Sequence, residues 1–138
     1  DVTGDGIIIV LTDKAGEKLS DDVPVSRINE EDLLIIINEL FGAGAEAISI
    51  NDQRIVPTTG IICGGNIIDI NQEQVGAPFV IKARGLPENL ANLNRAGGYL
   101  SYMKKASIGV ELKKSNNIII PKYTGIINYK YAKSIEEK

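Results

Sequence analysis

The chain has 138 residues, of which 43% are apolar and 24% charged, with a formal net charge of −3. That is one globular domain's worth of sequence, large enough to fold without a metal or disulfide staple. It contains no His, no Trp and a single Cys, which excludes Ser-His triads, cysteine-based zinc sites and internal disulfides.

The charge is unevenly spread. Residues 1–52 carry three Lys and Arg against twelve Asp and Glu, a balance of −9; residues 53–138 carry twelve against six, a balance of +6. Such a split either steers a partner and favours head-to-tail association, or is neutralised as the two halves interleave.

In chain order, residues 7–11 (Ile-Ile-Ile-Val-Leu) form a buried β-branched run, predicted as a strand. Residues 13–28 break into charges, Gly16 and Pro24, and are predicted as a long loop. Asn29 followed by Glu30, Glu31 and Asp32 is a helix start: the Asn caps, and the acids favour the positive end of the helix dipole. Leu33, Leu34, Ile37, Leu40 and Phe41 continue it as an amphipathic stripe that Gly42 and Gly44 terminate. Ile35 and Ile36 widen the apolar face, so cover on more than one side is expected.

Residues 46–51 alternate as a strand, Asn51-Asp52 makes a tight turn, and 53–56 return as its partner until Pro57. Further strands are predicted at 59–63, ended by Gly64-Gly65-Asn66, at 67–70, and at 79–83 after the polar stretch 71–76. Pro87 opens a second helix with Leu90, Leu93, Gly97, Leu100 and Met103 on one face. Gly97-Gly98 either breaks this helix or packs it closely on the sheet. Residues 108–113 alternate as a strand, Ser115-Asn116-Asn117 is predicted to turn, and 118–120 return. A last strand is expected at 125–131, with 134–138 frayed.

The expected fold is therefore α+β: a ferredoxin-like β-α-β-β-α-β sandwich with extra β-hairpins and both helices on one face of a mainly antiparallel sheet. Residues 1–133 are expected to form a single domain.

Few constellations suggest chemistry. Gly4-Asp5-Gly6 precedes a strand, the reverse of a phosphate loop. Cys63 sits in an apolar run and reads as a small buried residue with no base beside it. Asp13, Glu17, Asp21 and Asp22 match no calcium-loop spacing and read as solvated surface. Lys104, Lys105, Lys113 and Lys114 beside Tyr99 and Tyr102 are too few for a nucleic-acid surface. No metal, cofactor or nucleic-acid partner is expected, and no catalytic residue is assigned.

The polar group that stands out is Arg54 with Asn51, Gln53 and Thr59, to which Lys82 is added as a candidate ligand or partner contact. Arg54 alternatively pairs with hairpin carbonyls or a helix-start acid.

The segment 38–55, Asn-Glu-Leu-Phe-Gly-Ala-Gly-Ala-Glu-Ala-Ile-Ser-Ile-Asn-Asp-Gln-Arg-Ile, resembles the signature of the bacterial DUF-881 (YlxW/YlxX-like) family. The likeness extends through 58–61, 63–66, 77–83 with Gly85, 97–100 and 120–123. Asp52 departs from it, since the family often has Gly there. The resemblance implies an N-terminal membrane helix and a coiled coil ahead of an extracytoplasmic domain. The start at Asp1 rather than Met is expected to reflect their removal. It also implies a loose link to cell division, and it carries over no catalytic residues.

The leading expectation is a non-enzymatic, membrane-anchored interaction domain outside the cytoplasm. It would bind protein partners of the envelope or division machinery, and it could itself form a homodimer. A small-ligand or anion-binding sensor near Arg54, Thr59 and Lys82 is the alternative, with a carboxylate-based enzyme third.

Overall fold

A computed structural model describes residues 1–13, 28–55, 61–64, 67–70, 73–75 and 78–122. A five-stranded sheet runs in the order β3-β2-β7-β1-β8, with every neighbouring pair antiparallel. Its strands are β1 (Val2–Asp13), β2 (Ala47–Ile50), β3 (Gln53–Arg54), β7 (Phe79–Arg84) and β8 (Ile108–Ile120). A second sheet, β4-β5-β6, is made of Ile61–Gly64, Ile67–Ile70 and Glu73–Val75. The helices are α1 (Glu30–Gly42), the short α2 (Pro87–Ala91) with a 3₁₀ turn at Asn92–Asn94, and α3 (Tyr99–Lys105). None of them is long and apolar enough to cross a membrane.

Strand periodicity decides what each face of the five-stranded sheet meets. Ile7, Ile9 and Leu11 of β1 lie opposite Ala83, Ile81 and Phe79 of β7, and Ile48 and Ile50 of β2 share that face. All eight side chains are buried in one cluster with Leu33, Ile36, Ile37 and Leu40 of α1 and Leu100 and Met103 of α3. The fold is therefore α+β, with two helices packed on the same side of an antiparallel sheet. Leu90, Leu93 and Ile70 of β5 join the same core.

Helix α1 begins as its sequence dictates. The Asn29 carboxamide accepts from the Asp32 backbone N–H at 3.1 Å and the Asp32 carboxylate accepts from the Asn29 N–H at 3.0 Å, a reciprocal capping box. The second helical segment does break at Gly97-Gly98: Gly97 takes φ +81°, which an L side chain resists.

Four expectations need correction. β1 starts at Val2, not Ile7, because its first residues pair with 118–120. Residues 115–117 do not turn. β8 continues through them with a bulge, Asn116 and Asn117 both lying opposite Asp5, so an extra residue is absorbed without reversing the strand. The polar stretch 71–76 contains β6, whose pairing with β5 (Ile68 with Val75, Ile70 with Glu73) overrides its composition. β3 ends at Arg54, short of residue 56. Of the expected loop over 13–28, Asp13 instead closes β1; residues 14–27, Thr59, Pro57, Gly65-Asn66, the strand at 125–131 and the tail 134–138 lie outside the described residues.

The bulge has a structural consequence. Beyond it, Val2, Ile118 and Ile120 form a small second cluster with Ile8 and with Ala47 of β2. Ala47 lies two strands away from β1, so the ribbon made by residues 2–4 and 118–120 folds across the face opposite the helices.

Candidate functional site

The face opposite the helices carries two of the sequence's candidate residues, Arg54 and Lys82. Arg54, Ser49, Lys82, Ile8 and Lys113 form one cross-strand row over β3, β2, β7, β1 and β8. The structure thus brings Arg54 and Lys82 onto the same face with Ser49 between them. Ser49 is 0% exposed and its Oγ has no hydrogen-bond partner among the described residues. Arg54 donates from Nη1 to the Pro121 carbonyl at 3.3 Å, holding the end of the folded-over ribbon against the opposite edge of the sheet. This carbonyl belongs to the end of β8 and not to Arg54's own hairpin. Lys82 Nζ lies 3.9 Å from the Asp52 carboxylate, a solvent-exposed pair of small energetic weight.

Gln53 and Asn51 go elsewhere. Gln53 pairs with Ile50 and so belongs to the helix side. Asn51 has φ +48° and Asp52 φ +68°, the two left-handed positions of a type I′ turn. The Asn51 side chain is committed to β7: its Oδ1 accepts from the Val80 N–H at 2.7 Å and its Nδ2 donates to the Pro78 carbonyl at 3.3 Å. Asp52 is the strained member, since its carboxylate is mostly solvent-exposed. Asp52→Gly is expected to raise stability by about 0.5–1 kcal/mol, read as a higher urea midpoint with unchanged slope.

Sequence reasoning missed Arg84 and Ser49. Arg84 Nε donates to the Thr3 carbonyl at 2.9 Å and Nη1 pairs with Glu46 Oε1 at 2.5 Å, fastening the ribbon from its other side. Alternation along 79–84 was the available signal, because Lys82 and Arg84 fall on the face opposite Ile81 and Ala83.

At the helix layer, the Tyr99 hydroxyl donates to the Asp32 carboxylate, tying the start of α3 to the capping box of α1. Burial, then this hydrogen bond, push the Tyr99 phenol well above its ordinary value of 10.0. The folded chain therefore holds this proton more tightly than the unfolded one, so the associated stability is present below pH 10.0 and is lost as pH rises above it. Tyr99→Phe is expected to cost about 1.5 kcal/mol at pH 8. The gap to the parent chain should narrow above pH 10, as followed by urea midpoints across pH.

A shallow groove of about 640 Å³ lies between the bulge and α2, lined by Asp5, Leu86, Pro87, Glu88, Lys114, Ser115 and Asn116. Both of its carboxylates stand in solvent. Among the described residues, no three His, Cys, Asp or Glu side chains converge on a common point.

Comparison with known proteins places these features in context. Residues 1–133 match the family DUF881, described as a bacterial protein of unknown function. The chain is 30% identical over 118 residues to the UPF0749 protein YlxW of Bacillus subtilis, covering 85% of this chain and 51% of that protein. A UPF0749 protein of Mycobacterium tuberculosis is 28% identical over 131 residues, covering 87% of this chain and 43% of that protein. The chain thus spans about half the length of these relatives. The crystal structure of an uncharacterized conserved protein from M. tuberculosis superposes with a TM-score of 0.72 at 26% identity, covering 89% of this chain and 86% of that one.

Proposed function

The chain belongs to the DUF881 family of bacterial proteins of unknown function, and from that membership we propose that it is a non-enzymatic interaction domain of a membrane-anchored protein. In this reading it stands on the extracytoplasmic side of the bacterial membrane and serves cell division or the envelope. The observation that carries the reading is the outer face of α1. Leu34 and Phe41 are 42% and 43% exposed there, although both are large and apolar. Glu31, Leu34, Asn38 and Phe41 recur at helical spacing, so all four line one exposed stripe. An acid at one end of an apolar stripe fits a protein partner with an apolar centre and a basic flank.

A photo-crosslinking residue at Phe41 of the full-length protein, in its own membrane, tests this. The expected result is a crosslink to a division or wall-synthesis protein that disappears with Leu34→Asp. No crosslink, or one indifferent to Leu34→Asp, overturns the reading. For location, Asn38→Cys is expected to react with a membrane-impermeant thiol reagent in intact cells; reaction only after lysis would place the domain inside.

A second reading, an anion-binding sensor, is favoured by the Ser49 Oγ between Arg54 and Lys82, which has no partner among the described residues. Thermal stabilisation by phosphate or sulfate, lost in Lys82→Ala, would support it, and a flat melting temperature would remove it. As to topology, the order β2-β7-β1-β8, with helical connections after β1 and after β7, supports a ferredoxin-like plan into which β3 and the β4-β5-β6 sheet are inserted.

A further inference from the structure

The two edges of the five-stranded sheet are built differently. The β3 edge is two residues long and is tied across to Pro121 through Arg54. The β8 edge is thirteen residues long. One side of β8 is paired to β1 along its length. Among the described residues no strand pairs with its other side. A long free edge of unpaired N–H and C=O groups is a template for another strand.

We propose that the occupant is a second copy of this chain, with β8 pairing antiparallel to β8 about a twofold axis at Leu112. Charge selects this register. If both helix layers stay on the same side, opposed residues must share a face, so the axis passes through a residue. An axis at Lys113 sets two lysines opposite each other, and one at Glu111 sets two glutamates opposite each other. An axis at Leu112 sets Glu111 of each copy opposite Lys113 of the other, two complementary pairs on the face away from the helices. It also sets the half-buried Leu112 side chains together and lays the methylene stem of Lys114 beside Val110. Gly109 then meets Ser115, and the bulge at Asn116 and Asn117 ends the ladder. The exposed lysines that deter indiscriminate pairing are matched in this register.

Sedimentation equilibrium of the 138-residue chain over a wide concentration range tests the proposal. The parent chain is expected to dimerise. Glu111→Lys places lysine opposite Lys113 twice and is expected to weaken the dimer about tenfold or more. The double change Glu111→Lys with Lys113→Glu restores the pairs and is expected to restore the dimer. Both positions are exposed, so circular dichroism should show an unchanged fold. A chain that stays monomeric at every concentration, leaving the edge to another protein or to water, overturns the proposal. So does a dimer indifferent to Glu111→Lys, or one that the double change fails to rescue.

Discussion

Gly6→Ala is expected to destabilise the fold by on the order of 4 kcal/mol, the upper end of what single substitutions do. A Cβ at this position would lie 1.9 Å from the Ala83 carbonyl oxygen and 2.9 Å from its carbon. Both atoms belong to the backbone of the paired strand, so no rotamer change relieves the clash. The close approach exists because Gly6 follows the bulge, where the ribbon leaves the plane of the sheet and Gly85 N–H bonds to the Asp5 carbonyl at 2.9 Å. Gly42→Ala is the control. A Cβ there meets nothing within 4 Å, and alanine suits the last helical residue better than glycine. Urea denaturation should show a collapsed midpoint for Gly6→Ala and an unchanged or higher one for Gly42→Ala. Equal effects would mean that the close approach at Gly6 is not what matters.

Asn51→Ala is expected to cost about 2–3 kcal/mol from two separable causes. It removes the acceptor of the Val80 N–H and the donor to the Pro78 carbonyl, and it forces a Cβ-bearing residue without a local hydrogen bond to hold φ +48°. Asn51→Gly separates them, since it frees the backbone while losing both hydrogen bonds; it should recover part of the loss and no more. Asn51→Asp keeps the acceptor for Val80 and loses only the donor, so it should be the mildest of the three. If alanine and glycine prove equally damaging, the left-handed turn contributes nothing, and only the tie to β7 matters.

Asn51 also illustrates how a residue can be selected for one reason and serve another. Its type and its place before Asp52 predict a tight turn, and the turn forms. Its side chain reaches β7, a strand 29 residues along, and nothing in local sequence spacing announces that bond. Arg54 is similar. A position in a short edge strand marked it as a candidate contact, and nothing local announces that its guanidinium reaches the Pro121 carbonyl, 67 residues away. The start and end of helix α1 were legible almost to the residue because capping chemistry is local, but its buried face was not: Leu34 and Phe41, expected in the apolar stripe, are exposed, and Ile36 joins Leu33, Ile37 and Leu40 in the core. The break at Gly97-Gly98 was legible as a choice between two outcomes. β8 was legible in its two parts, 108–113 and 118–120, but not as one strand: Ser-Asn-Asn is turn-like in isolation, and only pairing with β1 makes it a bulge within one long strand.

By itself the sequence determined an α+β fold, its first helix, the apolar runs that became the core strands, and a lack of histidine and paired cysteine that narrows the chemistry. It also carried the family signature. Tertiary structure alone decided which candidates share a face. Cross-strand registry sets Arg54, Ser49 and Lys82 in one row and sends Gln53 to the other side. It alone decided that residues 2–4 and 118–120 form a ribbon over that face, and that one edge of the sheet is tied down while no described strand pairs with the other. The division has a physical cause. Caps, turns and periodicity act over a few residues and are written in adjacent positions, whereas registry and edge exposure depend on contacts between segments tens of residues apart.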